Sequence, residues 1–329
     1  MADRATMRVV ELAGGVGGAR LAFGLQAHLG ERLTVVANTA DDLERHGLAI
    51  WPDHDTVMYT LAGIDNHDQG WGIAGETFAA ADMLARYGEE TWFRLGDQDL
   101  ATHLVRTRRL RDGDRPTVIA RDLQRALGVR AAILPMADEP VRTRVRIRGR
   151  APDRSSDAWL DFQAWFVAHR QEPEVDEVRF DGIDEARATP EVLAALAGAD
   201  AIVAAPSNPF VSVAPILAVP GIRAAIQAAR NGGVPVAAIS GIVGGRAIKG
   251  PADRMFPALA GEAPSALAVA RRYADWVDLF VLDEVDAALA PAVRTLGLDV
   301  MVTDTIMSSD AARGRLAGSV LDALAARSR

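Results

Sequence analysis

No cysteine occurs anywhere in the chain. That excludes disulfides, cysteine-ligated iron–sulfur clusters and thiol nucleophiles. No run of 18 apolar residues is present, so no transmembrane helix is expected. The N-terminus lacks a basic segment followed by an apolar core, which argues against a signal peptide and makes a cytoplasmic location the default expectation. Internal repeats, heptad runs and low-complexity tracts are also missing. Lysine is nearly absent: Lys249 stands alone against 35 arginines. A net charge of −8 and a pI near 5.3 speak against nonspecific nucleic-acid binding. Neither nucleic acid nor membrane is therefore expected as a partner.

What remains is a globular composition. The 329 residues are 49% hydrophobic. A chain of that length buries roughly three quarters of its unfolded surface, as one large α/β domain or two smaller ones. Strand and helix patterns alternate. Strands are expected at 7–13, 33–37, 131–134, 201–205, 234–239, 279–282 and 300–303. Helices are expected from the glycine run to Leu29, then at 56–61, 75–87, 96–109, 116–127 and 190–196. The 75–87 helix would place Ala79, Met83 and Leu84 on one face, and Asp97 is a plausible N-cap for the next one. Residues 141–181 read differently, as a half-exposed strand at 142–147, a helix at 158–169 and a strand at 177–180. The fold expectation is thus α/β, a Rossmann-like, mostly parallel sheet with helices on both faces. Residues 1–140 and 182–329 would form its core and 141–181 a smaller inserted α+β lobe.

The most informative segment is the first 60 residues. A buried strand runs into Gly14-Gly15-Val16-Gly17-Gly18-Ala19-Arg20 and then an apolar helix. Free N–H groups and the helix dipole make such a junction an anion cradle. The dinucleotide pattern is broken, since Arg20 takes the last glycine slot, and the G-K-[ST] of a P-loop is missing. The second strand ends in Asn38-Thr39-Ala40-Asp41-Asp42, and Pro52-Asp53-His54-Asp55-Thr56 follows. Carboxylates beside a phosphate site suit a hard divalent cation such as Mg²⁺; ordinary turn chemistry is the plain alternative. Adjacent Asp41 and Asp42 would point to opposite faces, so one would meet a metal and the other orient the loop. Asp53 and Asp55, two apart, could face the same side. Asp97, Asp99 and His103 could also bind a metal, although helix N-terminal carboxylates explain the aspartates better.

Other candidates sit after later strands: Pro206-Ser207-Asn208-Pro209, the stretch 240–250 with Gly244, Gly245 and Lys249, and Thr303-Asp304-Thr305. Open parallel sheets bind ligands at the carboxyl ends of their strands, so these loops would share one site. Lysine is a compact point charge where arginine is a planar fork, and a tight phosphate pocket would explain why Lys249 survives among arginines.

Taken in order, these motifs resemble the 2-phospho-L-lactate transferase family. The resemblance extends through Gly70-Trp71-Gly72, Glu76-Thr77-Phe78, Leu95 to His103, Pro215-Ile216-Leu217 and Pro220 to Arg223, and spans nearly the whole chain. It implies a Mg²⁺-dependent step in deazaflavin coenzyme F-420 biosynthesis, and a homodimer. The acceptor would be 7,8-didemethyl-8-hydroxy-5-deazariboflavin and the donor a guanosine diphosphate-linked small acid. The terminal ribityl hydroxyl would attack the phosphate next to the acid, releasing GMP. The acidic loops would carry the metal and the attacking hydroxyl: Asp42 and Asp55, with Asp41 and Asp53 as neighbours. In that picture the N–H groups of Gly15, Gly17 and Gly18 cradle the diphosphate. Arg20 and Lys249 offset the charge that develops on the leaving phosphate. Ser207 and Asn208 hydrogen-bond guanine, ribose or phosphate, and Thr39, Gly244 and Gly245 complete the substrate-binding set. Trp51, Tyr59 and Trp71 could offer a face to the flavin or simply pack the core. A nicotinamide- or nucleotide-binding oxidoreductase and an inactive nucleotide-sensing regulator are the rival classes. No residue distinguishes a lactyl, enolpyruvyl or glyceryl donor.

Overall fold

The computed structural model describes residues 6–148 and 158–327. Seven strands form one parallel sheet: β1 (Val9–Ala13), β2 (Leu33–Ala37), β3 (Ala132–Pro135), β4 (Ala201–Ala204), β5 (Val236–Ile239), β6 (Leu279–Leu282) and β7 (Asp299–Val302). Their spatial order is β3-β2-β1-β4-β5-β6-β7. Strands β1, β4, β5 and β6 are buried at every residue. This is why they read as continuous apolar runs: a parallel sheet covered on both faces has no solvated side. Val10 and Leu12 of β1 pack into one core, with Val192, Leu196 and Ile222. Val9 and Ala13 point the other way, into a second core with Leu21, Leu25 and Leu316. Among the described residues no single helix is long and apolar enough to cross a membrane.

Chain order along the sheet reverses between β1 and β4, which places a crevice beyond their carboxyl ends. Helix α1 (Gly15–Leu29) leaves β1 there, and α2 (Pro52–Ala62) packs against α1. Helices α3 (Ala79–Arg86) and α4 (Asp97–Arg111) follow. Residues 142–147 and 159–161 and 175–181 make a three-stranded antiparallel sheet. Its buried Val145, Ile147 and Val175, with Trp165 from the segment between its strands, join the same core as Val10 and Leu12. Residues 149–157 of the expected lobe lie outside the described residues.

Three local expectations need correction. The helix expected over 158–169 is a short strand, Trp159–Asp161, followed by a π-helix over Ala164–Ala168. Pairing of 159–161 with 144–146 overrides the helical pattern. The helix expected from Gly75 begins only at Ala79, and Met83 is exposed rather than packed. Asp97 does not cap its own helix. Its carboxylate accepts the N–H groups of Ala79 and Ala80 at the start of α3, while Glu76 accepts those of Gln98 and Asp99 at the start of α4. The two helices cap each other.

Candidate active site

The glycine run is the first turn of a helix, not a separate loop. Gly14 is extended and Gly15 takes a left-handed φ of 61°. A Cβ on Gly17 would stand 2.2 Å from the Pro206 carbonyl oxygen, and one on Gly18 would stand 2.7 Å from the Ala13 Cβ. These two glycines let α1 lie against β1 and against the loop after β4. The Ser207 hydroxyl ties the same junction, donating to the Gly14 carbonyl at 2.8 Å and accepting the Gly14 N–H at 3.3 Å. Beside it lies a cavity of about 580 Å³, lined in part by Gly14, Gly15, Gly17 and Arg20. Gly18 faces β1 and is not part of the lining.

Asp53 and Asp55 sit in the first turn of α2, behind Pro52 at its start, and not in a loop. Two residues on a helix are about 200° apart, so the two side chains leave the helix in different directions, although both reach the cavity lining. Asp53 accepts Asn38 Nδ2 at 2.9 Å and the Gly15 N–H, and burial pushes its pKa to about 6. Burial and then the Asp53 charge push Asp41 up. Asp42 is also raised by burial, with Arg142 and Arg106 pulling it back. Asp41 and Asp53 line the cavity, and Asp42 lies outside the lining. The δ1 oxygens of Asp41 and Asp42 have no hydrogen-bond partner among the described residues. An open oxygen on buried Asp41, beside the buried Asp53 carboxylate in the same lining, would fit a hard divalent cation such as Mg²⁺.

Asp55 is differently placed. Arg106, fully buried, grips it with two N–H groups, one at 2.9 Å, and stacks 4.2 Å from the Trp51 ring centroid. Burial alone would raise Asp55, but Arg106, with His54 and His103, outweighs it and holds the carboxyl well below the usual range. That commitment leaves Asp55 a poor acceptor for a hydroxyl proton. Trp51, lodged beneath Arg106, is absent from the cavity lining, so its ring is a packing element.

The opposite wall comes from α2 and α4. Tyr59 donates to Asp99 Oδ1 at 2.5 Å, and His103 Nε2 lies 3.2 Å from the same oxygen. Burial and the charges of Asp55 and Asp99 raise Tyr59, which stays a neutral donor. Asp55, Asp99 and His103 stand close enough to share a cation. Such an ion would have to share the Asp55 carboxylate with the two Arg106 donors.

Trp71, Trp92, Phe93, Phe162 and Phe166 supply aromatic lining. Lys249, exposed, reaches the same cavity. Gly244 and Gly245 do not line it; with φ of 57° and 79° they form the two-residue turn of a hairpin joining 242–243 to 246–247. Thr39 is buried outside the lining. Asn208 lines the cavity, but its amide is engaged, accepting the Phe210 N–H at 2.9 Å and approaching the Met255 sulfur at 3.3 Å. Sequence reading missed Arg106. Asp99, His103 and Arg106 are spaced i, i+4 and i+7, one polar helical stripe, which was the available signal.

The family profile described as 2-phospho-L-lactate transferase CofD matches residues 9–308. Similar proteins named phosphoenolpyruvate transferase occur in Streptomyces griseus (42% identical over 321 residues, covering 94% of this chain and 98% of the relative), Streptomyces coelicolor (41% over 318, 94% and 97%) and Thermobifida fusca (38% over 327, 96% and 97%). A solved UPF0052-family structure from Bacillus halodurans shares the fold at a TM-score of 0.61 and 14% identity, covering 95% of this chain and 98% of that one. With its parallel sheet and its acid-lined cavity at the switch point, the chain belongs to the 2-phospho-L-lactate transferase family, a family of transferases.

Proposed function

We propose that the protein transfers an enolpyruvyl-phosphate group from a guanosine diphosphate-linked donor to the terminal ribityl hydroxyl of 7,8-didemethyl-8-hydroxy-5-deazariboflavin. GMP leaves and a phosphodiester forms. The observation that carries this reading is the placement of two buried carboxylates with raised pKa, Asp41 and Asp53, in one cavity with the N-terminus of α1. The relatives named above favour enolpyruvate over lactate or glycerate.

Phosphoryl transfer is governed by positioning and charge neutralisation. The N-terminal turn of α1 supplies N–H groups and a positive dipole end for the diphosphate. Mg²⁺ held by Asp41 and Asp53 would neutralise diphosphate charge and polarise the phosphoryl oxygen. Arg20 lines the cavity within reach of the charges of Arg313 and Asp65, and its guanidinium would offset the donor's negative charge. The aromatic lining suits a planar ring system.

The test is direct. Incubation with the deazaflavin alcohol, the donor and Mg²⁺ should release GMP in a 1:1 ratio with the new phosphodiester. Excess EDTA should abolish turnover; undiminished activity would return the acids to a structural role.

Lys249 gives a second test. Lys249→Arg keeps the charge but replaces a point with a fork. Misplacement by about an ångström can cost on the order of 10²-fold in rate. The substitution should lower kcat/KM for the donor and leave the flavin's dissociation constant unchanged. Wild-type values for both would make the lone lysine an accident of composition.

A further inference from the structure

One wall of the cavity is built for an alcohol. Arg106 Nη1 lies 3.2 Å from His103 Nδ1, and a guanidinium can only donate, so Nδ1 is the acceptor and the imidazole proton sits on Nε2. That Nε2–H is buried and makes no well-formed hydrogen bond: the nearest oxygen, Asp99 Oδ1 at 3.2 Å, is off its line and already takes the Tyr59 hydroxyl. Asp99 therefore has one oxygen held by Tyr59, while Oδ2 accepts no hydrogen bond from the protein among the described residues. Both Asp99 and His103 line the cavity.

An acceptor-only carboxylate beside an orphan N–H donor is the complement of a hydroxyl group, which donates with its hydrogen and accepts with its lone pairs. A phosphate or carboxylate would meet the Asp99 charge. A cation would meet a protonated Nε2, and Asp55 beyond it is occupied by Arg106. We infer that Asp99 and His103 bind a hydroxyl of the acceptor's polyol chain, so that the chain runs along the Tyr59–Asp99–His103 wall while the diphosphate lies toward Gly14–Gly17 and Arg20. This assignment rests on the acceptor reading above and adds which residues recognise the chain. Tyr59 acts as a positioning residue, fixing the carboxylate from the far side.

The experiment titrates wild-type protein, Asp99→Ala and the volume-conserving Asp99→Asn with two flavins, the ribityl deazaflavin and an N10-alkyl deazaflavin without hydroxyls, and separately with GDP. A hydrogen bond to a charged group is worth roughly 10- to 100-fold in affinity. Asp99→Ala should weaken the ribityl compound by that factor and leave the alkyl compound and GDP within about twofold. Asp99→Asn should fall between, because an amide retains an acceptor. Equal losses for both flavins would reduce Asp99 to a structural role and overturn the assignment. So would unchanged affinity for the ribityl compound, or calorimetric Mg²⁺ binding that Asp99→Ala abolishes while flavin affinity stays put. If wild-type protein binds neither flavin, the acceptor reading itself fails, a result distinct from failure of Asp99 alone.

Discussion

Replacing Arg106 with leucine is expected to cost the fold about 3–5 kcal/mol, the usual penalty for stranding one member of a buried ion pair. Arg106 is fully buried, donates twice to Asp55, reaches the Ala49 carbonyl at 3.3 Å and stacks on Trp51. Its removal leaves the buried Asp55 carboxylate without its guanidinium, with only His54 at 3.3 Å as a side-chain hydrogen-bond partner among the described residues. The same pair removed together should be far milder, since desolvation of both charges is then avoided. Chemical denaturation of Arg106→Leu and of Arg106→Leu with Asp55→Leu checks this. A single variant within about 1 kcal/mol of wild type would show that the pair contributes little. From the sequence, Asp55 reads instead as a loop acid that would carry the metal or the attacking hydroxyl, not as half of a buried ion pair.

The second large effect has opposite signs for activity and stability. Asp53→Asn should lower kcat by roughly 10²-fold or more, because metal-centred charge stabilisation contributes several kcal/mol. It should also stabilise the metal-free protein at neutral pH. Asp53 titrates at about 6 in the fold, against about 3.9 in an unfolded chain. With the folded value raised, its stabilising contribution is complete below about pH 3.9 and is lost as pH rises through about 6. At pH 7 the wild-type carboxylate is therefore a liability of about 3 kcal/mol that asparagine does not share. Melting curves of both proteins without metal should diverge between about pH 4 and 7 and converge below. Identical curves across that range would remove Asp53 from the set of strained site groups.

Much of the site was legible because its signals are local. A strand ending in glycines predicts a helix N-terminus, and acids after the second strand predict charge at the same sheet edge. Asp53 and Asp55 were misread by one step. Pro52 at the first helical position was the clue that helix α2 starts before them; both still reach the cavity, but with different partners, Asn38 for Asp53 and Arg106 for Asp55. What could not be read was tertiary. Ser207 meets Gly14 across 193 residues of chain, and Asn208 looks ligand-facing until Phe210 and Met255 claim its amide. Phe162 and Phe166 line the cavity with their rings stacked, which nothing in the local sequence pattern announces.

The exchange of caps between α3 and α4 bears on motion. Neither helix start can fray alone: loss of the Glu76 or Asp97 carboxylate frees donors on one helix and pulls at the residue anchoring the other. The stretch 76–99 should then open as one cooperative unit. In deuterium exchange, the amides of Ala79, Ala80, Gln98 and Asp99 would share a single opening free energy. The wall bearing Asp99 would be intact or absent, with no half-open form in which a polyol chain could settle in the wrong register.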